Sequence, residues 1–184
     1  MSILILGLIV FFGIHLLPSF ASTKTSLVGR LGENAYKGIY SIISITGFVL
    51  IIYGKGQADF QPVWEPVLIG SKIPLVLMLI SFVLLAAANM PSNIKRFTRH
   101  PMLWGITAWS SAHLLTNGDL ASIFLFGGFG LFSLFDMVSS NLRGASKQED
   151  TLPLMKDVLT ISAGIGIYFL FLFLHPYLMG VSVI

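Results

Sequence analysis

Apolar residues run in six long blocks separated by short polar stretches. Each approaches the roughly 20 residues that a helix rising 1.5 Å per residue needs to cross a bilayer, although the fourth, at about 24 Å, is short of the roughly 30 Å hydrocarbon core. With approximate ends, the blocks are Ser2 to Ala21, Tyr36 to Gly54, Ile73 to Met90, Pro101 to Thr116, Leu120 to Val138 and Val158 to Gly180. The pattern predicts an all-α fold, a polytopic membrane bundle of six transmembrane helices. Residues 1–184 form a single domain in this reading, because no charge-rich or Gly/Ser-rich stretch is long enough to separate two. No Lys or Arg precedes the first apolar core, the first cation being Lys24. The block lacks the basic start of a secretory signal and is expected to be a retained first helix.

Polar punctuation fits this map. Pro91 cannot continue the third helix, and Pro101 suits the first turn of the fourth, where its missing N–H costs nothing. Asn117-Gly118-Asp119 predicts a turn in which Gly118 takes a positive φ and Asp119 caps the fifth helix, making helices four and five an antiparallel hairpin. Gly127-Gly128-x-Gly130 falls inside the fifth block and is expected to let helices approach closely. Ser139 to Asp157, with charges of both signs, reads as a solvated connector.

Composition strengthens the membrane assignment. The 184 residues are 55% hydrophobic and 10% charged, against about 25% charged in soluble domains. The absence of cysteine excludes disulfides, thiolate ligands and Cys nucleophiles. A net charge of +3 does not imply nucleic acid, because the cations lie in loops beside apolar blocks. Lys24, Arg30, Lys37, Lys95, Arg96, Arg99, Arg143, Lys147 and Lys156 flank the odd-numbered loops, against Lys55 and Lys72 at the even ones. Positive-inside bias then places the odd loops in the cytoplasm and both termini in the periplasm of a bacterial inner membrane, with lipids as the first partners. No P-loop, G-x-G-x-x-G, H-E-x-x-H or G-x-S-x-G is present, so the corresponding nucleotide, zinc and ester chemistries lack their parts.

The candidate chemistry lies in four histidines, His15, His100, His113 and His175, spread over at least three helices. An ionisable side chain within a membrane segment is a functional candidate by default. Met102, Gly105, Ile106, Trp109, His113 and Thr116 share a helix face, where a glycine beside an aromatic and a histidine predicts a groove. Gly7, Phe11 and His15 repeat that arrangement. In the groove His113 either offers a neutral imidazole to a ligand or makes an interhelical hydrogen bond. Counting residues puts His15 near the cytoplasmic end of its helix and His113 deeper, a mismatch for any pairing of the two. His175 shares a face with Gly164, Tyr168 and Phe171 and is expected to be interfacial. His100, beside Arg99, is expected to join Glu33 and Asp136 in a polar cluster, with Arg99 or His100 pairing Asp136.

The runs Arg99-His100-Pro101-Met102-Leu103-Trp104-Gly105, Trp109-Ser110-Ser111-Ala112-His113-Leu114 and Asn117-Gly118-Asp119 resemble the NnrU family of bacterial membrane proteins. Gly13-Ile14-His15-Leu16-Leu17-Pro18, Gly32-Glu33-Asn34-Ala35-Tyr36-Lys37-Gly38 and Leu125-Phe126-Gly127-Gly128-Phe129 look like it too, so the likeness spans most of the chain from Gly7 to Ser133. The family is linked by name to nitrite and nitric oxide reduction. Its domain is similar to that of the plant zeta-carotene isomerase, a membrane enzyme using haem b.

That resemblance implies haem b, with His15 and His113 as metal ligands and Trp109 and Phe11 as walls of the cofactor pocket. It leaves bis-histidine ligation and a single histidine with an open position as alternatives. The isomerase tail also looks like His175-Pro176. Where the isomerase has a cysteine implicated in ligand exchange this chain has Ser110, so a thiolate switch is not available. The implied roles are redox, nitric oxide-related or polyene-isomerase-like, on an apolar or gaseous small ligand with an unidentified redox partner. The alternative is a haem-free accessory protein of denitrification or respiration whose histidines glue helices together. Arg-His-Pro-x-x-x-Gly also resembles membrane methyltransferases of the isoprenylcysteine carboxyl type, but nothing from Phe132 to Leu159 looks like their methyl-donor segment.

Overall fold

The computed structural model describes residues 1–66 and 72–181, and it is all-α. Its helices are α1 (Ser2–Leu16), α2 (Ala21–Leu31), α3 (Glu33–Gly56), α4 (Ile73–Asn89), the single turn α5 (Ile94–Phe97), α6 (Pro101–Leu114), α7 (Leu120–Leu142) and α8 (Leu154–Met179). Each of the six apolar blocks forms a helix. Four helices are long and apolar enough to span a bilayer: α1 with its 3-10 extension to Ser19, α3, α7 and α8. The chain is an integral membrane protein.

Of the six expected spans, with the fourth expected to be short, α4 and α6 have only 17 and 14 residues. At 1.5 Å per residue they measure about 26 and 21 Å, short of a hydrocarbon core of roughly 30 Å. The reason for the early stop of α6 is local. The Asn117 backbone N–H and side-chain amide both donate to the His113 carbonyl, at 2.8 and 2.8 Å, and Thr116 Oγ1 turns back to the Ala112 carbonyl. These bonds satisfy carbonyls that further helical turns would otherwise use.

The sequence also hid α2, which lies exposed over what read as a loop. It ends at Gly32, whose φ of 80° suits a residue without Cβ. The Ser139 to Asp157 connector is shorter than expected because α7 continues to Leu142.

The helices pack in a row, α3 on α1, α1 on α7, α7 on α6, α6 on α4 and α4 on α8. Backbones touch within α1/α3: a Cβ on Gly54 would stand 2.3 Å from Leu4 N and one on Gly47 2.8 Å from Phe11 N. Such contact between small residues is how membrane helices gain dispersion energy without a hydrophobic driving force. In α4/α6, buried Ser81 donates to the Gly105 carbonyl at 2.8 Å. The α1/α7 seam is different, being bridged by aromatic rings, with Phe12 stacked on Phe132 and edge-on to Phe129. Of the Gly127-Gly128-x-Gly130 run, Gly128 faces Phe12 and Gly130 faces Ser110, whereas Gly127 faces open space.

At the end of the bundle bearing residues 55–66, Val63 N and Trp64 N donate to the Gly118 carbonyl and Leu120 N donates to the Gln61 carbonyl. Asp119 caps α7 as expected, accepting from Ser122 N at 3.0 Å. Gly118 was expected to take a positive φ and does not. Glycine is needed there because a Cβ would stand 1.9 Å from the Trp64 carbonyl oxygen.

Candidate functional site

The site begins with a departure from regular helix. Residues Ile123–Gly127 of α7 form a π-helical turn, a feature that frequently accompanies functional sites. Phe126 within that turn is buried and lies against α6, stacked on His113 with ring centroids 4.4 Å apart. Trp109 meets Phe126 at 4.9 Å, Phe129 at 5.7 Å and His113 at 5.1 Å. Across the seam Phe129 meets Phe11 at 5.3 Å, and Phe11 stacks on His15 at 4.1 Å. Tyr40 and Phe132 complete the surround of His15, at 5.5 and 6.3 Å. All four residues assigned from the sequence, Phe11, His15, Trp109 and His113, thus lie on one continuous aromatic path.

The two imidazoles are held alike. His15 Nδ1 lies 2.7 Å from the Phe11 carbonyl and His113 Nδ1 lies 2.9 Å from the Trp109 carbonyl, each four residues back on its own helix. A carbonyl only accepts, so Nδ1 carries the proton and Nε2 of the neutral ring carries the lone pair. Among the described residues no hydrogen bond reaches Nε2 of either. Metal-binding histidines commonly donate their other ring N–H to a backbone carbonyl in this way, and an apolar surround with imidazole donors is chemistry that haem iron uses. The donor set therefore fits a haem.

Depth does not favour one shared iron in this packing. Phe129 is the midpoint, touching the residue one turn before each histidine. Since α1 and α6 run antiparallel, that turn leads away from Phe129 in opposite directions. Phe126 and Phe132, the neighbours of His113 and His15, are six residues apart on α7. Either count separates the ring levels by about 9 to 12 Å, whereas two nitrogens about 2 Å from one metal stand only about 4 Å apart. Two cavities, of about 320 and 420 Å³, are lined by other residues.

The glycines do not open the expected grooves. A Cβ on Gly7 would meet Ile51 N at 2.6 Å, and one on Gly105 would meet Leu85 and the Ser81 carbonyl at 3.1 Å, so α3 and α4 fill those spaces. What surrounds the histidines instead is the phenylalanine set Phe126, Phe129 and Phe132, which the sequence reading passed over although its three-residue spacing marks one helix face. Ser110, one turn before His113, is 2% exposed, and its Oγ has no partner among the described residues.

The remaining histidines lie apart from this path. His175 Nδ1 is bonded to the Val181 carbonyl at 2.8 Å, while Gly164, Tyr168 and Phe171 of its helix meet Val83 and Phe82 of α4. The expected polar cluster does not form. Glu33 pairs with exposed Lys37, Asp136 with Arg143 about two helix turns away, and Arg99 and His100 both bond Asn141 Oδ1, at 3.1 and 3.0 Å. Short reach along one stretch of chain decided the partners of Glu33 and Asp136, whereas Arg99 and His100 cross to the end of α7. Among the described residues there is no group of three or more His, Asp or Glu side chains arranged to hold a metal.

No curated protein and no solved structure matches the chain. A family model described as NnrU protein matches residues 3–183, nearly the whole chain, and the protein therefore belongs to the NnrU family.

Proposed function

We propose that this NnrU protein binds haem b, with His15 and His113 as the iron ligands and Phe11 and Trp109 as walls. The observation that carries the reading is the shared state of the two imidazoles, each with Nδ1–H committed to a helix carbonyl and Nε2 without a hydrogen-bond partner among the described residues. The carbonyls hold the tautomer and the ring direction. Phe11, Tyr40 and Phe132 pack around half-buried His15, and Trp109 and Phe126 around half-buried His113, giving each an apolar surround. A bound haem would supply redox chemistry and a position for a small ligand, tuned by axial ligand and pocket polarity. With ring levels about 9 to 12 Å apart, ligation by one histidine with an open position needs only the aromatic rings around that histidine to make room, whereas bis-histidine ligation also needs α1 and α6 to slide. Either form suits an apolar or gaseous substrate arriving through lipid, whether nitric oxide in a redox role or a polyene in an isomerisation.

We also propose that all six apolar helices cross the inner membrane, the short α4 and α6 being shielded by their neighbours. Nine cations at the odd loops support an orientation with those loops in the cytoplasm and both termini in the periplasm.

The test is an absorption spectrum of the detergent-purified protein after expression with ample haem, oxidised and reduced, repeated for His15→Ala and His113→Ala. A Soret band lost or shifted in these variants is expected. No Soret band in the parent sinks the haem reading, and an unchanged band in both variants sinks the ligand assignment. The second reading, a haem-free accessory protein, draws support from the same rings, since each imidazole is also well packed and bonded on one side.

A further inference from the structure

We propose that the cavity at the start of α6 binds a phosphate group, independently of any haem. The cavity holds about 320 Å³; Lys95, Arg99 and His100 line it on one side, and Ser146 and Gln148 reach in from the α7–α8 connector. Its floor is apolar, from Ala88 and Leu103. The Gln148 backbone N–H donates to the Lys95 carbonyl at 3.3 Å and so ties the connector across it.

Every polar side chain lining this space can donate a hydrogen bond, and the two permanent charges in it are positive. The ion pairs among the described residues engage Glu33, Asp119 and Asp136, and none involves Lys95 or Arg99. Arg99 Nη1 and His100 Nε2 both donate to Asn141 Oδ1, which fixes the guanidinium and the imidazole while leaving most of the guanidinium's donors unspent. Arg is suited to bidentate phosphate contact and Lys to a point-charge contact. Met102 and Leu103, which also line the cavity, lie in the first turn of α6, where backbone N–H groups lack helical partners and His100 makes no side-chain cap. They add donors and a favourable dipole but are secondary to the side chains. Glu149 and Asp150 follow Gln148 and are exposed, so the cations, not these carboxylates, line the space.

The ligand class is a phosphate mono- or diester anion. Its source is either an anionic phospholipid headgroup, for which the apolar floor offers a place for the start of the glycerol or acyl chain, or free phosphate. The experiment compares the full-length protein with the Lys95→Gln/Arg99→Gln variant and with Lys147→Gln as a charge control outside the cavity. Native mass spectrometry and thermal unfolding are read with phosphatidylglycerol, phosphatidylcholine or inorganic phosphate added to the detergent. Preferential retention of phosphatidylglycerol, weakened by about tenfold in the double variant and unchanged in Lys147→Gln, supports a headgroup site. Stabilisation by inorganic phosphate with the same variant pattern supports a free-phosphate site. If the double variant does not fold, the parent protein decides: no preference for phosphatidylglycerol over phosphatidylcholine and no stabilisation by phosphate overturns the proposal. Equal effects in Lys147→Gln and the double variant overturn it as well.

Discussion

Lys55 Nζ stands 2.9 Å from Asp119 Oδ1, joining the last turn of α3 to the cap of α7 across 64 residues of chain. The same ammonium donates to Ser122 Oγ at 2.8 Å. Asp119 therefore serves two elements at once, as helix cap and as anchor for α3. Asp119→Ala is expected to lower stability by about 2 kcal/mol, the sum of a lost cap and a stranded cation. Lys55→Met, which removes a cation still one-third exposed, is expected to lose about 1 kcal/mol. Thermal unfolding in detergent separates the two; equal melting of parent and Asp119→Ala would contradict the anchor.

The same carboxyl sets a pH dependence. Burial by itself raises the Asp119 carboxyl, but hydrogen bonds from Ser122 and Lys55 outweigh it and hold the group below its ordinary value of 3.8. A folded-state value below the unfolded one means a stabilisation fully present above the unfolded value and lost as pH falls through the folded one. Melting temperature is expected to be flat on this account near neutrality and to fall below pH of about 4. In Asp119→Asn that acid loss should shrink, and a variant with the parent's acid profile would remove Asp119 as its source.

Helix contact at α1/α3 predicts a contrast between two glycines near one another. Gly54→Ala puts a methyl 2.3 Å from Leu4 N, whereas Gly56→Ala meets nothing within 4 Å. The first is expected to cost about 1 to 3 kcal/mol by overpacking; the second is expected to be neutral or mildly stabilising, as Ala outranks Gly in a helix. Unfolding curves for the pair check this directly, and similar losses for both would deny the backbone contact.

The tautomers of His15 and His113 are open to measurement without any cofactor. In ¹⁵N-labelled apoprotein both rings are expected to be protonated at Nδ1, since each Nδ1 faces a carbonyl four residues back. An Nε2-protonated signal for either ring would remove the feature on which the ligand assignment rests.

Apolar runs of near-spanning length made the helices legible, and Pro101, Asp119 and Gly180 marked ends that local chemistry enforces. Family membership was legible too, because short motifs around His15, His100 and His113 need no fold to be seen. The ring neighbours of the histidines were not. Phe126 reaches His113 from within a π-helical turn that no residue pattern announces, and Phe129 touches Phe11 and Trp109 because α7 lies between α1 and α6. Residue spacing on one helix says nothing about which other helix faces it. For the same reason the glycines read as groove-makers proved to be contact points for α3 and α4, and Asp136 found Arg143 rather than Arg99.

By itself the sequence determined an all-α membrane chain of the NnrU family with two histidines in aromatic company, since hydropathy, helix periodicity and motif spacing are local properties. Tertiary structure alone decided that Phe126, Phe129 and Phe132 surround His15 and His113, that α3 and α4 fill the spaces at Gly7 and Gly105, and that Lys95 and Arg99 line a cavity with no carboxylate paired to them among the described residues. These depend on which helices become neighbours, and that choice is made by packing between residues far apart in the chain.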